Sequence, residues 1–272
     1  MEYETLKIRS NGIEMHVAAA GEGPPVLLLH GFPDTHRVWK GQMGALAAAG
    51  YRVYAPDLRG YGQTEAPGGE HAYAMEQLEA DVIGLLDALD IGQVKLVGHD
   101  WGALVSWYVA MHAPGRVERL VALSVGHPAA YASAGVSQWL RAWYIAVFRL
   151  RGVAESLVLA RGLLALRPQA ANAEQFSDWQ SELMRPGRMT AALNYYRANG
   201  KLFARREFPR VKVPVLGVWS EKDVALVEAQ MTGSQAYVDG GFRYRRVDGV
   251  GHWLQLEMAQ TVNNLLLEFF AE

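Results

Sequence analysis

The chain contains no cysteine. That excludes disulfides, a thiol nucleophile and thiolate metal centres. It has no large excess of charge of either sign: 26 basic and 28 acidic residues leave a net charge of −2. Nothing in that balance calls for nucleic acid or an anionic membrane as a partner. Long apolar runs are missing too, and the longest fall far short of the roughly 20 residues that span a bilayer. Residues 1–17 carry charges throughout and hold no apolar signal core. The expectation is a cytoplasmic protein. What is present is an ordinary globular composition, 50% hydrophobic and 20% charged over 272 residues. That suits one large α/β domain or two small ones.

Along the chain, residues 3–9 alternate apolar and polar, and Asn11-Gly12 marks a hairpin turn before a second strand at 13–19. The continuous apolar run Val26-Leu27-Leu28-Leu29 predicts a strand buried on both faces. Further strands are expected at 52–55, 94–97, 119–125, 213–219 and 242–247. Helices are expected at 75–89, 102–112 and 256–270. Residues 129–208 show no strand pattern and hold most of the tryptophans and tyrosines of the second half in helix-like segments. Strands alternating with helices argue for a mostly parallel sheet covered on both faces, with a helical insertion.

The most specific local signal is Gly98-His99-Asp100-Trp101-Gly102, which lies between a strand and a helix. A nucleophile elbow needs this setting: a turn so tight that only glycine fits on either side of the exposed central residue. Here that residue is Asp100. A carboxylate is already ionised at neutral pH, needs no base to act as a nucleophile, and is favoured by the helix N-terminus beneath it. The plainer alternative is a helix-capping aspartate after a glycine turn.

With these residues in view, the sequence resembles the α/β-hydrolase superfamily and, within it, the epoxide hydrolases. The likeness covers nearly the whole chain. His30-Gly31-Phe32-Pro33 is similar to the family's oxyanion-loop motif. Arg59-Gly60-Tyr61-Gly62 resembles its glycine-rich loop, and 98–102 the aspartate form of its elbow. Ser220-Glu221-Lys222-Asp223 and Gly251-His252-Trp253 resemble its late acid and histidine motifs. The resemblance implies an eight-stranded, mostly parallel sheet flanked by helices. It implies a core domain at 1–128 and 209–272 and a helical lid at 129–208. It also implies a catalytic triad of Asp100, His252 and Asp223. Glu221, two positions away, is a rival to Asp223. The stretch Ser124-Val125-Gly126-His127-Pro128, where some relatives place the acid, contains none. The oxyanion hole is expected from the backbone N–H groups of Phe32 and Trp101. The Phe32-Pro33 bond is a candidate for the cis form, and His30 and His99 are expected to be structural.

Two positions in the insertion match the family's lid tyrosines, Tyr144 and Tyr196, which imply donors to an epoxide oxygen. Tyr195, next to one of them, should point off the opposite side of its helix. Arg151 departs from the family, which often has proline there. Phe32, Trp101, Trp139 and Trp143 suggest an apolar pocket. The resemblance therefore implies conversion of a small apolar epoxide and water to a vicinal diol, through an ester on Asp100. No cofactor and no metal are implied. The alternatives are a haloalkane or fluoroacetate dehalogenase using the same aspartate, or a non-catalytic ligand-binding protein on the same fold. Apolar Phe32 speaks against the haloalkane enzymes, which often hold a polar halide donor at that position.

Overall fold

The computed structural model describes residues 3–159, 163, 164, 166–205 and 207–272. Among them eight strands form one sheet: β1 (Glu4–Ser10), β2 (Ile13–Ala20), β3 (Pro25–Leu29), β4 (Arg52–Pro56), β5 (Val94–His99), β6 (Val117–Leu123), β7 (Val215–Ser220) and β8 (Phe242–Val247). Their spatial order is β1-β2-β4-β3-β5-β6-β7-β8. β2 runs antiparallel to β1 and β4, and all other neighbours are parallel. The apolar run of β3 lies at the centre, where Val26 to Leu29 are fully buried. Covered on both faces, it has no use for alternation.

Helices cross between the parallel strands. Met75–Ala88 buries Leu78, Val82, Leu85 and Leu86 on one stripe. Trp101–His112 is buried along its whole length up to Met111, as a helix pressed under other elements must be. A helix at Lys40–Ala48 joins β3 to β4. It was not anticipated, because its glycines and alanines blur any apolar period, although Met43 and Leu46 are buried.

Several boundaries shift by one or two residues, such as the strand expected at 213–219 that runs Val215–Ser220, and two differences have a local cause. The strand expected at 119–125 is Val117–Leu123, because Ser124 turns the chain out of the sheet at φ +67°. The expected terminal helix is two, Leu254–Glu257 and Ala259–Phe270, because Met258 leaves helical geometry at φ −130°, ψ 50°.

Between β6 and β7 the described residues of 129–208 hold helices and no strand. This segment is tied to the glycine-rich loop after β4. The Tyr195 hydroxyl donates to the Arg59 carbonyl at 2.8 Å, Arg185 to Gly62 O at 2.7 Å and Arg188 to Thr64 O at 2.6 Å. Asn199 bridges Met75 N and Tyr73 O, both at 2.8 Å. Beneath these contacts Arg59 and Asp81 form a buried fork, Nε to Oδ2 at 2.7 Å and Nη2 to Oδ1 at 2.5 Å. Among the described residues no helix is long and apolar enough to cross a membrane.

Candidate active site

Four loops leave the C-terminal ends of β3, β5, β7 and β8 and meet at one point, where open α/β sheets place their ligand sites. They carry Phe32, Asp100, Asp223 and His252. Asp100 sits between β5 and the helix Trp101–His112 at φ +52°, ψ −120°. A non-glycine residue held there costs about 1–3 kcal/mol of strain, and the surroundings enforce it. A Cβ on Gly98 would strike the Gly102 carbonyl, one on Gly102 the Leu29 carbonyl, and one on Gly31 the Asp100 side chain itself. The glycines let three backbones close around one carboxylate.

That carboxylate has two neighbours. Phe32 N–H donates to Asp100 Oδ1 at 2.8 Å, and the Phe32-Pro33 bond is cis. On the other side His252 Nε2 stands 3.7 Å from Asp100 Oδ2. His252 Nδ1 pairs with Asp223 Oδ2 at 2.8 Å. Asp223 Oδ1 accepts from the backbone N–H groups of Ala225 at 2.9 Å and Leu226 at 3.0 Å, so only one oxygen is left for the imidazole. Glu221 is not at the site. It takes Arg246 at 2.9 Å and the Gly249 N–H at 3.0 Å on the exposed side of the loop.

Burial opposes a charge on His252, but Asp223 and Asp100 outweigh it and push its pKa up to about 10. Burial likewise works against the Asp100 anion, yet the imidazolium and the Phe32 N–H hold its carboxyl below the usual range. The resting site is therefore an ion pair across a gap too wide for a hydrogen bond.

His99 and Ser124 fix the histidine from behind. His99 Nε2 donates to the His252 carbonyl at 2.9 Å and the Ser124 hydroxyl to the same oxygen at 3.1 Å. Burial pushes the pKa of His99 down to about 3, so it stays neutral. His30 is structural in the same sense: its Nε2 accepts from Leu58 N–H at 2.9 Å and its Nδ1 bonds Gly31 O at 3.0 Å.

The roof comes from the helical segment. Tyr144 on Trp143–Phe148 and Tyr196 on Arg188–Ala198 meet edge to face, ring centroids 6.2 Å apart. Both line two cavities that share Asp100. The larger, about 540 Å³, is walled by apolar groups such as Phe32, Phe148, Val158 and Trp253, and reaches His252. The smaller, about 40 Å³, lies against Trp101, Leu104 and Phe203. Burial raises both tyrosine hydroxyls well above their usual pKa, so they are protonated donors. Tyr195, bonded to Arg59 O, faces away from both cavities.

The aromatic pocket needs one correction. Trp139 lines neither cavity. It is 46% exposed and meets the edge of the Tyr131 ring at 6.5 Å, because its short helix turns it outward. Trp143 is 68% exposed and lines the large cavity from its solvent side. Arg151, where relatives often have proline, pairs with Glu70 at 2.5 Å.

Residues that were not anticipated include Asp34, which follows Pro33, and Arg141, which donates to the carbonyls of Asp223 and Leu226. Their partners are distant in sequence, and no local pattern announces them. Among the described residues one cluster has metal-ligating side chains: His16, His36 and Asp57. Asp57 already accepts the His36 N–H at 2.9 Å, His36 Nδ1 at 2.7 Å and the Gln63 N–H at 3.0 Å, and lines neither cavity at Asp100.

Comparison with known proteins agrees with this geometry. The family model for the alpha/beta hydrolase fold matches residues 24–259. The AB hydrolase superfamily protein YfhM of Bacillus subtilis is 34% identical over 96% of this chain and 96% of its own. Epoxide hydrolase 2 of Siraitia grosvenorii is 33% identical over 98% of both chains. A solved epoxide hydrolase of Vigna radiata is 33% identical, with a TM-score of 0.84 over 99% of this chain and 97% of that one. The chain belongs to the α/β-hydrolase fold family and, within it, to the epoxide hydrolases.

Proposed function

We propose that the protein hydrolyses a small apolar epoxide to a vicinal diol through an alkyl ester on Asp100. One observation carries the reading: Asp100, His252 and the tyrosine pair line a single apolar cavity. Asp100 attacks one epoxide carbon, and the breaking C–O bond leaves its electrons on oxygen. An alkoxide in an apolar pocket is costly. Tyr144 and Tyr196 donate to it, and one of them gives up its proton.

Esterification removes the charge of Asp100. His252 then loses one of the two anions that raise its pKa, and its proton returns to the tyrosinate. The neutral imidazole, oriented by Asp223, takes a proton from a water that attacks the ester carbonyl of Asp100. The N–H groups of Phe32 and Trp101 hold the oxyanion. As the tetrahedral species collapses, the departing oxygen takes the proton of the added hydroxyl. Asp100 and His252 are again an ion pair, and water has supplied one oxygen and two hydrogens.

In this reading residues 129–208 are a lid over a core made of 1–128 and 209–272, and its helices supply the acid groups. A cytoplasmic setting belongs to the same reading; cell fractionation tests it. The test of the reaction is a panel of styrene-type and aliphatic epoxides beside haloalkanes and fluoroacetate. Diol release without halide release supports the reading, and halide release alone contradicts it.

A further inference from the structure

We propose that Asp34 is a positioning residue for His252: its carboxylate ties the helix Ala173–Leu183 to the indole of Trp253 and so holds the wall against which the imidazole rests. The inference rests on the ester mechanism above. Asp34 is 3% exposed. Its Oδ1 accepts from Gln175 Nε2 at 2.9 Å and Trp179 Nε1 at 2.7 Å, and its Oδ2 from Trp253 Nε1 at 2.7 Å. Two donors come from the helical segment and one from the residue after His252.

The His252 ring has few other restraints against tilting. Its carbonyl is held by His99 and Ser124, and Asp223 fixes Nδ1. What remains is rotation about that Nδ1 contact. His99 blocks one direction at a centroid distance of 4.6 Å, and Trp253 meets the ring at 4.9 Å, nearly perpendicular at 88°. Trp253 packs in turn on Trp179 at 5.0 Å. Asp34 fixes both indoles through their N–H groups, so docking of the helix and placement of the imidazole share one carboxylate. Burial pushes the Asp34 pKa up to about 6 against the pull of its three donors. At neutral pH it is ionised and accepts only, as all three donors require.

Asp34 touches neither the epoxide carbon nor the attacking water in this scheme, so its loss should fall on the step that needs His252. The test uses Asp34→Asn, which keeps size but sets an amide NH₂ against N–H donors. Trp253→Phe keeps one aromatic ring beside His252 and removes the N–H together with the rest of the indole. Single-turnover rates of Asp100 alkylation and of ester hydrolysis are measured separately, and the His252 ring is titrated by NMR in the full-length protein. Asp34→Asn should slow ester hydrolysis by about 10- to 100-fold, the worth of a hydrogen bond to a charged group, while alkylation changes little. Trp253→Phe, which also opens the cavity wall, should slow ester hydrolysis more than alkylation. The His252 titration should shift in both, and the double variant should be no slower than the slower single variant, as for residues acting through one contact. Equal loss in both steps, or an unchanged His252 titration, overturns the proposal. If Asp34→Asn does not fold, Trp253→Phe decides alone. Failure of the wild type to form any ester would count against the ester mechanism instead, and the NMR titration would still judge Asp34.

Discussion

His252 Nε2 lies 3.7 Å from Asp100 Oδ2, close enough for charge to act and too far for a hydrogen bond. Asp223 and Asp100 together raise the His252 pKa from 6.5 to about 10 against the cost of burial. A base raised on folding contributes stability that is fully present below its unfolded pKa and is lost as pH rises through the folded value. Unfolding free energy should therefore fall between about pH 6.5 and pH 10 in the wild type. His252→Gln should show a flatter profile over the same window. Parallel profiles from chemical denaturation would contradict the ion pair.

The tyrosine pair tests the reaction class. Tyr144→Phe and Tyr196→Phe should each slow alkylation of Asp100, with a lost transition-state donor typically worth on the order of 10²–10³. A single loss is softened by the remaining hydroxyl, so the double variant should be far slower than either. Ester hydrolysis should change little, because the oxygen is then a neutral hydroxyl. Tyr195→Phe, whose hydroxyl serves Arg59 O, should alkylate at the wild-type rate. Stopped-flow fluorescence separates the two steps. A double variant with wild-type turnover would exclude an epoxide as the substrate.

Asp223 and Glu221 separate by the same kinetics. Asp223→Asn should cost ester hydrolysis roughly 10²–10⁴, as loss of a triad carboxylate does elsewhere. Glu221→Gln removes a surface contact to Arg246 and should leave both steps near wild type. The reverse pattern would reassign the acid.

The Arg59–Asp81 fork should matter for folding rather than chemistry. Removing one partner of a buried pair strands the other charge, at about 3–5 kcal/mol. Arg59→Ala should therefore lower the denaturation midpoint strongly, and exposed Lys7→Ala, whose partner is Glu14, hardly at all. Equal midpoints would mean that the fork adds nothing.

Much of this site was legible in the sequence because its chemistry is written in local strings. Glycines at 98 and 102 mark an elbow by steric necessity, and Gly249, at φ +81°, marks a histidine loop by its backbone conformation. The core strands were legible because a central strand such as 26–29 has no polar alternation. The helix at 40–48 was not, since glycine and alanine carry almost no periodic signal. Asp34 was hidden for another reason: an acid after His30-Gly31-Phe32-Pro33 reads as a turn residue, and its donors come from one distant helix, Gln175 and Trp179, and one distant loop, Trp253. Trp139 misled in the opposite sense. A tryptophan in an insertion suggests a pocket, but a helix of six residues turned outward leaves it in solvent.

The most direct measurement of the central claim is the intact mass of His252→Gln after incubation with its epoxide. The variant keeps the nucleophile and loses the base. The account predicts protein plus one substrate, with the adduct on the peptide that contains Asp100. Wild-type single turnover in ¹⁸O-water should then give a first diol unlabelled from solvent, its new oxygen having come from the Asp100 carboxylate. An unmodified His252→Gln protein, with Asp100 essential and the label entering the first diol, would instead mean that water attacks the epoxide directly.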